Sequence, residues 1–238
     1  MPKAAHIEID RTLEEAPNWA PLESWVSRWH RRGLSIGGFA ALFVALSFAL
    51  PFLFPVSLLR DVLTRSRFGL SRTLLLVYGI VACELAGVLA SAFLWLRYAL
   101  SIGRNRDAII RSNFALQRWW GNALGSIGRT LFQVRFRVED PFERGARRYL
   151  LFPRHASFID ALFPVLFVSG PHALLLHYVL KRELLWDPCL DIVGQRLPNC
   201  FIRRAGVDTA GAVKAVSRLA KGVGYREGLV LFPEGTRF

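Results

Sequence analysis

The chain has 238 residues, 53% of them hydrophobic, which allows one ordinary domain plus a smaller unit. The mean hydropathy of +0.30 points toward a membrane rather than a wholly soluble protein. The formal net charge is +13, and all but four of the 31 basic residues are arginine. Arginine suits phosphate contacts; no zinc-finger spacing, RNP-type segment or basic zipper accompanies it, so membrane lipids are expected as partners and nucleic acid is not.

Residues 1–32 lack the basic start and early apolar core of a secretory signal. Within them Leu22, Trp25, Val26 and Trp29 fall at i, i+3, i+4 and i+7, one face of a helix, while Arg28, Arg31 and Arg32 lie off it. That pattern predicts an amphipathic helix lying in a membrane interface. Residues 33–59 carry no charge, more than the ~20 apolar residues that cross a bilayer. Pro51 and Pro55 are expected to break or kink this segment near its far end. After the basic stretch 60–72, a second apolar run covers 73–96, interrupted only by Glu84. A lone glutamate there is costly if ionised; a structural role is favoured, because no second ionisable residue sits nearby at helical spacing. Residues 33–100 thus read as a membrane hairpin, spanning or re-entrant, with both ends on one side. Seven flanking arginines against four in the loop favour the cytoplasmic side.

Residues 101–238 read as an α/β domain. A helical stripe (Ile110, Phe114, Trp120, Leu124, Ile127) is followed by alternation at 134–138, the pattern of a half-exposed strand. Strands near 149–152, 173–179, 200–202 and 229–232 alternate with helices near 158–168, 183–186 and 208–223. Asp208 is placed as the N-cap of the last helix, with Val213, Val216, Leu219 and Val223 facing inward. The fold class is therefore α/β, a mixed or largely parallel sheet flanked by helices, preceded by a hydrophobic two-helix hairpin. Cys83, Cys189 and Cys200 are too few and too scattered for a disulfide framework or metal cluster, and read as buried thiols.

Two stretches carry chemistry. His155 and Asp160 flank a strand-to-helix junction. On one helix, i and i+5 point about 140° apart, so the two meet only if His155 sits in the loop and Asp160 on the first turn. The carboxylate then fixes the imidazole tautomer while the other ring nitrogen takes a proton. At the far end the strand near 229–232 runs into Pro233, Glu234, Gly235, Thr236 and Arg237, where arginine and a glycine turn can hold phosphate. No covalent nucleophile is evident; Ser157 reads as a helix cap, and Lys181, Arg182 and Glu183 follow a strand and border the same region.

Together, the His155-x4-Asp160 pair, the run from Gly194 to Arg204 and the hexapeptide from Phe232 to Arg237 resemble three ordered sequence blocks of the glycerolipid acyltransferases, which include the lysophosphatidate acyltransferases. The resemblance covers about the last third of the chain. It implies a membrane-bound O-acyltransferase with His155 as base and Asp160 as its orienting partner. Arg204, Glu234, Gly235, Thr236 and Arg237 would bind the phosphate-bearing acceptor. The acceptor is a lysophospholipid, foremost 1-acyl-sn-glycerol 3-phosphate; glycerol 3-phosphate or another lysolipid is an alternative, as is an inactive basic lipid-binding protein of the same fold. The acyl donor is acyl-CoA or acyl-carrier protein, with no cofactor and no metal. Three departures stand out: Arg154 where many members have asparagine, Arg203 where an acidic residue is common, and a chain expected to be truncated at Phe238, where members continue with more sheet.

Overall fold

The computed structural model describes residues 23–100, 106–139, 148–154, 158–202 and 209–233. Three long helices lead: α1 (Trp25–Leu63), α2 (Gly69–Leu100) and α3 (Arg106–Phe132). Ser24 caps α1 by accepting from the Ser27 backbone N–H at 3.1 Å. The helix then runs unbroken through Pro51 and Pro55, contrary to the expected break. Each proline removes only one intrahelical bond, and in an apolar setting the remaining backbone groups are best satisfied by continuing the helix. The tryptophan-bearing turns are likewise the start of α1 itself, not a separate helix.

α1 and α2 form an antiparallel hairpin. The Ser57 and Ser71 hydroxyls meet at 3.2 Å, those of Ser47 and Tyr78 at 3.3 Å, and Phe43 stacks on Tyr78. Asp61 closes the tip. Its carboxylate accepts from Ser66 Oγ at 2.5 Å and from the backbone N–H and Oγ of Ser71 at 2.8 Å each. Two of the orphan donors of the α2 N-terminus, the N–H groups of Leu70 and Ser71, are thereby satisfied. Both helices are long and apolar enough to cross a membrane. Their outer faces are bare: Phe48, Phe52 and Leu63 are each about three-quarters exposed. A core helix of a soluble domain would cover such side chains.

α3 packs back along α2 and joins the hairpin to the domain. Ile110, Phe114 and Leu116 share a core with Ala90 and Leu94 of α2 and with Leu175, Cys189, Val193 and Leu197. Four strands follow: β1 (Arg148–Leu151), β2 (Leu175–Lys181), β3 (Cys200–Ile202) and β4 (Glu227–Val230). They pair in the order β1-β4-β2-β3, every pairing parallel. Between β1 and β2 lie a 3₁₀ turn at Phe158–Leu162, a π turn at Pro164–Ser169 and the short α4 (Gly170–His172). Val165 from this connection packs on Leu174, Leu176, Tyr178 and Val230. Between β2 and β3 come a 3₁₀ turn at Arg182–Trp186, α5 (Pro188–Ile192) and a further turn at Gly194–Arg196. α6 (Thr209–Lys221) leads to β4 and covers the opposite face, where Leu219 and Val223 meet Cys200 and Leu229.

Two expectations fail here. Residues 134–138 form no strand; Phe136 turns inward onto Phe163 and Phe167, and its neighbours stay exposed. One inward residue without a ladder partner gives the alternation but not the strand. Val213 is exposed on α6. At ~100° per residue, Ala212, Ala215 and Leu219 form the inward stripe of α6, which Val223 joins from just beyond the helix end, and Val213 falls about 120° off Leu219. Asp208 lies outside the described residues.

Candidate active site

All strands being parallel, their carboxyl ends share one end of the sheet, where ligands of open α/β sheets bind. The residues that follow β1, β3 and β4 in sequence are those carrying the three blocks. His155, Ser157, Arg203, Arg204, Glu234, Gly235, Thr236 and Arg237 themselves lie outside the described residues. Asp160 is described: it is half-buried on the 3₁₀ turn Phe158–Leu162. That turn position is what a partnership with a residue in the preceding loop requires. Arg154 is exposed after β1, and Lys181 ends β2 with Arg182 and Glu183 beyond it.

The strand order spaces the three blocks unevenly. β1 and β4 are neighbours, so the strands preceding His155 and Arg237 leave the sheet side by side. β3 and β4, which precede Arg204 and Arg237, are separated by β2. Two strand spacings amount to ~10 Å. Arginines converging from those positions would have to approach a ligand from either side of the β2 exit.

The described thiols are not nucleophiles. Burial pushes the Cys200 thiol up to about 11 and raises that of Cys189 as well, so neither is a thiolate at neutral pH. Among the described residues no three His, Cys, Asp or Glu side chains converge as metal ligands.

Two polar clusters were not visible in the sequence. The first is His177 on β2, whose Nε2 lies 2.7 Å from Glu227 Oε2 on β4. Both are buried, and Glu227 also accepts from the Gly224 N–H at 2.8 Å. This pair pins the turn into β4 from near the amino end of the sheet, away from the site. A histidine inside an apolar strand was its one signal.

The second cluster fastens the hairpin to the segment after β2. Arg31 donates to both carboxylate oxygens of Glu23 at 3.0 Å, to Asp191 at 2.8 and 3.2 Å, and to the Leu185 carbonyl. Its hydrogen bonds hold the Glu23 carboxyl below the usual carboxylate range. Arg32 Nε adds a bond to Asp191 at 2.9 Å, and Gln195 donates to the same carboxylate. Further along, Arg196 donates to the Ser91 carbonyl and hydroxyl at 3.0 and 2.8 Å. Glu84 accepts from Trp120 Nε1 at 2.9 Å and from the Cys189 N–H at 3.3 Å. Its structural role is thus realised by partners more than thirty residues away, out of reach of helical spacing. Gly87 permits this close approach, since a Cβ there would collide with Cys189 Sγ.

A family model described as Acyltransferase matches residues 133–238. The match takes in the whole sheet and all three blocks, and leaves α1, α2 and α3 outside. No curated protein and no solved structure matches the chain.

Proposed function

We propose that this protein is a membrane-bound O-acyltransferase of the lysophosphatidate type, a reading supported by the match of residues 133–238 to a family model described as Acyltransferase. It moves an acyl chain from acyl-CoA or acyl-carrier protein to the free hydroxyl of 1-acyl-sn-glycerol 3-phosphate, giving phosphatidate. The observation that carries the reading is the parallel pairing: β1, β3 and β4 all end where the His155, Arg204 and Arg237 segments begin. The His155 imidazole takes the hydroxyl proton as the oxygen attacks the thioester carbonyl, and returns a proton to the departing thiolate. Asp160 holds the imidazole tautomer and stabilises the imidazolium. The thioester is already activated, so the chemistry calls for no covalent enzyme intermediate. Arg204 and Arg237 hold the acceptor phosphate, with the turn at Gly235 and Thr236 supplying donors and Glu234 orienting an arginine. The hairpin inserts in the cytoplasmic membrane with the domain on the cytoplasmic side, in line with the arginine excess at its base.

The test is acyl transfer to a phosphorylated lysolipid and to the same lysolipid without phosphate. Losing one set of charge-assisted bonds in Arg204→Ala or Arg237→Ala raises the acceptor KM by roughly ten- to a hundred-fold and leaves the donor KM unchanged. Equal use of both acceptors, or loss of donor affinity alone, contradicts the assignment.

A further inference from the structure

β2 ends at Lys181, and the turn that leaves it, Arg182–Trp186, exposes Leu184 and Trp186, the latter to 54%. Leu185 between them is buried, and its carbonyl takes the Arg31 hydrogen bond, so this turn is fixed at the height of Arg31 on α1. At that height α1 exposes Trp25 and Trp29, to 72% and 53%, their rings 6.2 Å apart. The Arg32 guanidinium lies over the Trp29 ring at 5.5 Å. Trp95 of α2, 61% exposed, reaches the same height. Continuing the Ser57–Ser71 and Ser47–Tyr78 pairing down the hairpin brings it opposite about residue 30.

Four exposed tryptophans therefore lie at the level where the hairpin's charge-free stretch begins, for no charged residue follows Arg32 on α1 until Arg60. Amphipathic aromatic rings at a boundary between apolar and charged surface mark a membrane–water interface. One of the four comes from the domain, not the hairpin. It belongs to the turn that leaves the central part of the sheet at its carboxyl end.

We propose that Leu184 and Trp186 lie in the membrane–water interface beside Trp25, Trp29 and Trp95, and hold the carboxyl end of the sheet against the bilayer. The acyl acceptor then enters as a lipid still resident in the leaflet, its phosphate at the headgroup level. This rests on the reading of α1 and α2 as a membrane anchor and of the sheet's carboxyl end as the site. The occupant of the surface is the bilayer because the patch is continuous with the apolar hairpin. Arg97, exposed two residues beyond Trp95, complements anionic headgroups at its rim.

The three native cysteines are buried, so introduced ones take a thiol-reactive fluorophore selectively. Trp186→Cys, Phe48→Cys and Tyr225→Cys are labelled in turn and reconstituted in phosphatidylcholine–phosphatidylglycerol vesicles carrying nitroxide lipids. Tyr225 is exposed just before β4, at the amino end of the sheet. The probe at Trp186 is quenched by nitroxide near the headgroup, the probe at Phe48 by nitroxide along the chain, and the probe at Tyr225 by neither. Quenching at Phe48 with none at Trp186 overturns the inference and leaves the anchor standing. No quenching at Phe48 removes the anchor and the inference with it. Acyl-transfer activity of the unlabelled protein reports on the enzymatic reading separately. Trp186→Ala raises KM for a vesicle-borne acceptor by about tenfold, as partial loss of a side-chain burial predicts. It leaves KM for a short-chain, water-soluble acceptor unchanged, and Trp186→Phe restores most of the loss. An equal KM rise for both acceptors would mean that Trp186 touches substrate directly and would overturn the interfacial role.

Discussion

Replacing Asp191 tests how the hairpin is fastened to the domain. The Asp191 carboxylate is fully buried, with Arg31 Nη1 at 2.8 Å and Arg32 Nε at 2.9 Å. The Arg31 and Arg32 side chains are only 9% and 18% exposed, so solvent does not screen the loss. Asp191→Ala leaves Arg31 with Glu23 as its remaining carboxylate and Arg32 without its side-chain partner. Breaking a buried pair by removing one member costs about 3–5 kcal/mol; the retained Glu23 contacts favour the lower end. Denaturant unfolding of the detergent-solubilised protein measures it. Arg60→Ala at the exposed hairpin tip is the control, since its ion pair with Asp61 is 3.9 Å long and the arginine side chain is 59% exposed; no measurable change is expected there. A cost below about 1 kcal/mol for Asp191→Ala, in the range of a surface pair, would refute the clamp.

Two further predictions follow from the same surfaces. Burial raises the pKa of Asp187, which faces Glu84 and lies near Asp191. The native state then keeps a proton that the unfolded chain has released, so stability falls as pH rises above the ordinary carboxylate range. Asp187→Asn keeps the cap on the Leu190 N–H and should flatten that slope in unfolding measured across pH; an unchanged slope contradicts the assignment. Separately, the protein should stay in the membrane pellet through 1 M salt and alkaline wash. Attachment by arginines alone would be released, because the Debye length shrinks to ~3 Å at that salt concentration.

The sheet was legible because its strands are short apolar runs punctuated by turn residues, and parallel order follows from alternation with helices. The hairpin was legible for a plainer reason: 27 residues without charge between Arg32 and Arg60 admit few other readings. Local pattern misled where local signal was all there was. Phe136 imitates a strand by pointing once inward, and Val213 sits beside the true stripe of α6. Pro51 and Pro55 signalled a break, yet each removes only one intrahelical bond and α1 continues through both. Contacts between distant segments left no trace in spacing. Asp191 meets Arg31 across 160 residues, and Glu84, which looked in sequence like an isolated charge in an apolar run, meets Cys189 across 105. The candidate site was legible as three blocks, and the structure adds the common end of the sheet from which their strands depart.

The measurement closest to the central claim is acyl transfer by His155→Ala, reconstituted in vesicles, from an acyl thioester to 1-acyl-sn-glycerol 3-phosphate. Loss of a general base should lower turnover by ~10²–10⁴-fold while vesicle binding is retained. Turnover within a few-fold of the unaltered protein would show that the proton leaves by another route and that the His155–Asp160 pair is not the catalytic centre.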